Sequence, residues 1–170
     1  MTMVLDRVLP GDEELAQSEY KPVYLQMLRH IERLHRLLLD VIRDEFERDG
    51  KWDINAVQAL LIYNIGDNKL TAGELRGRGF YLGSNVSYNL KKLIAGGYIE
   101  QNRSTRDRRS IYIRLTDMGK GVCESIDELY DRQLQAVETI GGLALDDLAK
   151  MNQMMQRLER FWHDQIRFKL

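Results

Sequence analysis

At 170 residues, with 44% apolar and 30% charged residues and a formal net charge of −1, the chain suits one compact domain or a small domain with helical extensions; that composition excludes intrinsic disorder. A single cysteine, Cys123, excludes an intramolecular disulfide framework. No stretch approaches the roughly 20 consecutive apolar residues of a membrane span, and residues 1–10 do not read as a secretory signal. The expectation is a cytoplasmic protein with no membrane partner.

In chain order, Asp12 is placed to cap a short helix over residues 13–17. A longer helix is predicted from about Pro22 to Arg48, with proline tolerated in its first turn. Its apolar residues Tyr24, Met27, Leu28, Ile31, Leu34, Leu38, Val41, Ile42 and Phe46 recur at steps of three and four. Leu37 and Leu39 widen the stripe, so the helix is expected to touch more than one neighbour. Asp53 fits an N-cap for a buried helix over Ile54–Ile65, ended by Gly66.

Thr71 and Glu74 then have the spacing of a capping box, and Leu70 and Leu75 that of a hydrophobic staple. They predict a helix from Ala72, eroded within two turns by Gly77 and Gly79. The next helix is predicted over Gly83–Ala95, with Val86, Leu90 and Leu93 turned inward. Ser84, Asn85, Ser87, Tyr88, Lys91 and Lys92 then lie largely on the outward side, and Gly96-Gly97 stops the helix. Two alternating segments, Tyr98–Asn102 and Ser110–Leu115, read as a hairpin whose tip is Arg103–Arg109. Thr116 can cap a long helix to about Ile140, broken at Gly141-Gly142. A last helix, from about Leu145 to Phe168, carries Leu148, Met151, Met155, Leu158, Trp162 and Ile166 as a stripe that needs a partner. That partner is either the first long helix or another chain.

The charge is not spread evenly. Between Asn68 and Arg114 ten Lys/Arg stand against three acids, a net of +7, which leaves −8 for the rest. A compact protein with one basic face and an acidic body has a place for a polyanion and repels it elsewhere. Two helices joined by a turn, the second polar outside, followed by a basic hairpin, form a winged helix-turn-helix. A helix fits the major groove, where base edges are distinguishable, and arginines suit the narrow, electronegative minor groove. Double-stranded DNA is therefore the expected partner. Ser84, Asn85, Ser87 and Tyr88 are the candidates for base edges, and Lys91 and Lys92 for phosphates. Arg103, Arg106, Arg108 and Arg109 lie on the wing. Tyr88 stays open between DNA contact and half-buried packing, and Asn89 is expected to brace the interior.

The strings LTAGEL (70–75), SNVSYNLKKLIAGGYI (84–99) and DRRSIYIRLTDMG (107–119) resemble the DNA-binding domain of the multiple-antibiotic-resistance-regulator (MarR) family. The likeness extends over most of the chain through the flanking helices. It implies a mainly α fold with a small β-wing, and a homodimer that binds pseudo-palindromic promoter sites. The implied organisation is an N-terminal dimerisation helix (1–50), a winged helix-turn-helix (51–118) and C-terminal dimerisation helices (119–170). It also implies that Asp107 and one arginine brace the wing while another, from Arg108 and Arg109, reaches the minor groove. Leu82 stands where the family commonly has a polar cap, so Ser84 is the expected cap of a shortened recognition helix. The run GRGFYLGSNVSYNLKKL, with the SEYKPVYLQMLRHIERLHRLLLDVIRDEFER helix, is similar to an alphaproteobacterial subgroup linked to L,D-transpeptidase (cell-wall) genes.

Family members commonly respond to small aromatic or phenolic effectors in a cleft between dimer helices and DNA-binding lobe. Leu34, Leu38, Ile42, Trp52, Ile62 and Ile65 are the candidates for lining it, with simple core packing as the other reading. Cys123 has no second cysteine to resolve it and is expected to be structural. His30 and His35 are five apart and do not share a helix face, so no metal site is expected. No phosphate loop or nucleophile elbow is present, so no cofactor and no enzymatic activity are expected. The competing classes are a winged-helix protein-interaction module and a ligand or redox sensor acting without DNA.

Overall fold

The structure, a computed structural model, describes residues 10–68, 70–71, 74, 83–103 and 111–169. Five helices and three strands are described: α1 (Pro10–Asp49), α2 (Ala56–Ile65), β1 (Leu70–Thr71), α3 (Gly83–Ala95), β2 (Ile99–Arg103), β3 (Ile111–Leu115), α4 (Asp117–Val137) and α5 (Leu145–Phe168). Two compact units are formed, Met1–Leu60 and Leu61–Leu170.

In the first unit, α1 is one helix where two were expected, and Pro22 lies inside it. Proline removes one amide donor and leaves the carbonyl four residues back without its helical partner. Residues 19–25 are all exposed, so water can take that bond and the helix continues. Among its described side chains only Ile42 and Phe46, in the last turns, are enclosed. The start of α2 is capped by Asn55 and not by Asp53. The Gln58 amide donates to Asn55 Oδ1 at 2.9 Å and the Asn55 amide to Gln58 Oε1 at 3.1 Å, a reciprocal capping box.

In the second unit, α2 ends at Gly66, whose φ of +52° only glycine adopts cheaply. The capping box at Thr71 and Glu74 forms as expected. The Glu74 amide donates to Thr71 Oγ1 at 3.1 Å, and the Thr71 amide to Glu74 Oε2 at 2.7 Å. Leu70 and Thr71 are, however, also a strand. They pair antiparallel with β3, Leu70 opposite Ile113, in a sheet of order β1-β3-β2. The expected helix from Ala72 and the glycine-rich turn after Arg76 lie outside the described residues. α3 begins at Gly83, so Ser84 is its second residue and not its cap. Its end is a Schellman motif: the Tyr98 amide donates to Leu93 O at 2.9 Å and the Gly97 amide to Ile94 O at 3.1 Å, with Gly97 at φ +78°.

The hairpin has the register Ile99↔Leu115, Gln101↔Ile113, Arg103↔Ile111. Leu61, Ile62, Ile65, Leu93, Ile99, Ile113, Val122 and Ile126 form the enclosed core of this unit. Each such side chain contributes about 1.5–3 kcal/mol by leaving water. α5 has no buried residue, and Met154, Met155, Phe161 and Ile166 stand exposed on it.

Candidate nucleic-acid interface

α3 is amphipathic in the sense the interface needs. Leu90 and Leu93 are buried on one side, while Ser87, Tyr88, Lys91 and Lys92 are exposed on the other. Tyr88 is 61% exposed, which removes the half-buried packing alternative. The Lys92 ammonium lies 5.9 Å from its ring centroid, one helical turn on, in cation–π range. Asn89 is half-buried, as expected of a brace. Ser84 and Asn85 belong to the first turn of this helix, and their side chains lie outside the description, as does that of Arg103 at the end of β2. Arg106, Asp107, Arg108 and Arg109 lie outside the described residues altogether.

On the wing, Glu100 sits directly across from Arg114, and the Arg114 Nε donates to Glu100 Oε1. Both charges fall within the basic stretch of the sequence, but their pairing depends on the register of the hairpin.

The root of the wing is fixed by Thr116. Its hydroxyl donates to Gly97 O at 2.7 Å, its amide to Tyr98 O at 3.1 Å, and its Oγ1 accepts from the Gly119 amide at 3.2 Å, which caps α4. One residue thus joins the end of α3, the end of the wing and the start of α4. A second tie was not foreseen: Tyr63 Oη donates to Asp127 Oδ1 at 2.7 Å, and the Tyr63 and Tyr130 rings meet edge-on at 5.3 Å. The hydrogen bond to Asp127, then burial, pushes the Tyr63 hydroxyl up to about 12.

Cys123 is half-buried, with Sγ 3.8 Å from Ile62 O. Burial, followed by the nearby charges of Asp127, Asp67 and Glu124, pushes its thiol up to about 11. Of the effector candidates, Ile42, Ile62 and Ile65 have no exposed surface. Leu38 and Trp52 are half-buried, and Leu34 is open to solvent. Among the described residues no group of three or more His, Cys, Asp or Glu could hold a metal ion. Nor, among them, is any helix long and apolar enough to cross a membrane.

The three-stranded sheet, the polar outer face of α3 and the hairpin define a winged-helix protein. Residues 52–110 match the MarR family. Over 161 residues the chain is 35% identical to the Exopolysaccharide II synthesis transcriptional activator ExpG of Rhizobium meliloti (strain 1021), covering 93% of this chain and 78% of that protein. The chain belongs to the MarR family of winged-helix transcription regulators, and it is a regulator of transcription and not an enzyme. Solved structures show the same fold. The transcriptional regulator SlyA superimposes with a TM-score of 0.71 at 17% identity, over 85% of this chain and 99% of that one. FabT of Streptococcus pneumoniae, determined in complex with DNA, superimposes with a TM-score of 0.63 at 22% identity, over 83% and 98%.

Proposed function

We propose that this chain acts as a homodimer on pseudo-palindromic promoter DNA, each copy laying α3 in a major groove and its wing along the neighbouring minor groove. The observation that carries this reading is the outer face of α3, where Tyr88, Lys91 and Lys92 are exposed while Leu90 and Leu93 are buried. Lys91 and Lys92 bind phosphate and fix register; Ser84, Asn85, Ser87 and Tyr88 meet base edges. The wing arginines Arg103, Arg106, Arg108 and Arg109, with Asp107 as brace, supply minor-groove contact. The exposed apolar side chains of α5 support association with a second copy, residues 1–50 and 119–170 being the dimerisation parts and 51–118 the DNA-binding part. A small aromatic or phenolic effector, held by residues such as Leu38 and Trp52, changes DNA affinity by the difference in its affinity for two dimer geometries. The genes controlled are those of cell-wall remodelling or stress tolerance.

Binding-site selection tests the reading: purified protein against randomised duplexes, with competitor, at physiological salt. An enriched inverted repeat with half-sites about ten base pairs apart is expected. Retention that vanishes with salt and enriches no sequence favours the protein-interaction alternative.

A further inference from the structure

A groove of about 460 Å³ runs between the end of α2 and the first three turns of α4. It shares Gly66, Asp67, Leu115 and Lys120 with an adjoining recess of about 210 Å³ that reaches Arg114. The two together are bipolar. Arg114 and Lys120 stand toward one end, Glu124, Asp127 and the Tyr63 ring toward the other, with Leu115 and Cys123 between them and the Asp67 carboxylate bordering both recesses.

The polarity is set by α4. Lys120, Glu124 and Asp127 fall at i, i+4 and i+7, on one helix face. The cationic end keeps donors to spare: Arg114 spends its Nε on Glu100, and Lys120 places its ammonium 3.1 Å from Asp117. At the other end Asp127 accepts the Tyr63 hydroxyl on Oδ1, which leaves Oδ2 to meet a further donor. Because Asp67 lines both recesses, acids outnumber bases there and a bare anion is disfavoured. A molecule with both charges gains at each end.

We propose that this groove binds a small zwitterion whose charges stand roughly 6–10 Å apart, the rise of α4 from Lys120 to Glu124 and Asp127. Its carboxylate lies at Arg114 and Lys120, its ammonium at Glu124 and Asp127. At about 3.3–3.6 Å per extended residue, a di- or tripeptide or an ω-amino acid has that span. Asp67 borders both recesses and offers an acceptor to the inner N–H groups of a peptide, which an ω-amino acid lacks. The ligand would touch three segments at once: the end of α2, the last residues of β3 and the start of α4. Two residues beyond Asn68 begins β1, with the Thr71–Glu74 cap. Occupation therefore biases how the wing root and the helix-turn-helix sit on α4. This coupling, unlike the binding itself, rests on the regulator reading above.

The test is calorimetry on the full chain with triglycine and 6-aminohexanoate, and with N-acetyltriglycine and triglycinamide as end-blocked probes. The expected result is saturable one-site binding of a zwitterion, at least tenfold weaker when either end is blocked. The Glu124→Gln and Arg114→Gln variants, both changed at exposed positions, should weaken it equally with unaltered thermal unfolding. Tighter binding of triglycine than of 6-aminohexanoate identifies the peptide; the reverse identifies the ω-amino acid. Equal binding of blocked and free probes, or no saturable heat from any, overturns the site. DNA affinity is then measured with and without the bound probe. A several-fold change supports the regulatory role, and no change overturns it while leaving the site. Failure to select any DNA sequence leaves the calorimetric result readable on its own.

Discussion

The α-carbon of Gly119 rests so close to the carbonyl oxygen of Tyr98 that a Cβ there would overlap it, and would also lie 3.2 Å from Leu115 Cβ. The obstacle is backbone, held in place by the Thr116 amide on the same carbonyl, and does not rotate away. Gly119→Ala should therefore cost about 1–3 kcal/mol, the usual penalty of overpacking. Urea unfolding checks this; an unchanged midpoint would mean that α4 shifts freely relative to the wing root.

Much of this architecture was legible in the sequence because its signals are local. The Thr71–Glu74 box, the Gly96-Gly97 stop, the Thr116 cap and the burial of Leu90 and Leu93 depend on residues within a few positions of each other. What was not legible depends on distant partners. β1 is two residues long and has no period of its own; Leu70 becomes a strand residue only because Ile113 lies opposite. The Glu100–Arg114 pair requires the hairpin register, and the Tyr63–Asp127 bond joins residues 64 positions apart. Asp53 and Asn55 are both good capping residues, and the choice between them fell to Gln58, three positions after Asn55. In the interface, helix period alone put Lys91 and Lys92 outside, whereas for Tyr88 it left half-buried packing open, because how far a large ring at the edge of the outer face is covered depends on its neighbours.

Cys123 should be a poor redox sensor. A thiol pushed up to about 11 by burial is thiolate in only roughly one molecule in ten thousand at neutral pH. Alkylation by iodoacetamide at pH 7 should be at least about a hundredfold slower than for an unburied cysteine, accelerating as pH rises toward 11. Cys123→Ser should leave DNA binding and its response to peroxide unchanged. Peroxide that releases DNA from the native protein but not from this variant would contradict the prediction.

The Tyr63–Asp127 bond makes stability depend on alkaline pH. Tyr63 loses its proton near 10 when unfolded and near 12 when folded, because the neutral hydroxyl donates to Asp127. The stabilisation is thus fully present below pH 10, and is lost as pH rises through 12. Tyr63→Phe should lower stability by about 0.5–1.5 kcal/mol at pH 8. The gap between variant and native protein should close between pH 10 and 12 in urea titrations. A gap that is constant across that range would show that the bond does not set the hydroxyl's proton affinity.

On α5, Met151 and Met155 lie one turn apart, 37% and 51% exposed in the single chain. If a second copy covers this stripe, the double change Met151→Glu and Met155→Glu places two charges in an apolar contact without disturbing any residue buried within the chain. Light scattering should then give half the native particle mass, with helical circular dichroism preserved and DNA affinity reduced at least tenfold. A native protein that already scatters as a monomer refutes the dimer directly.

Lys91 and Lys92 separate electrostatic from sequence-reading contributions on α3. Each phosphate contact contributes about 0.9 to the slope of log affinity against log salt. Replacing both lysines by glutamine should flatten that slope by about 3.6 in a dimer, which carries the change twice. The selected sequence should stay the same, because phosphate contacts position without specifying. Tyr88→Ala should do the opposite, relaxing the preference at one base pair of each half-site by about 1–3 kcal/mol while leaving the salt slope in place. Binding isotherms at four or five salt concentrations, on the selected operator and on a shuffled duplex, resolve the two effects. If the lysine variant changed which sequence is selected while the tyrosine variant changed only the slope, the assignment of roles on this helix would be inverted.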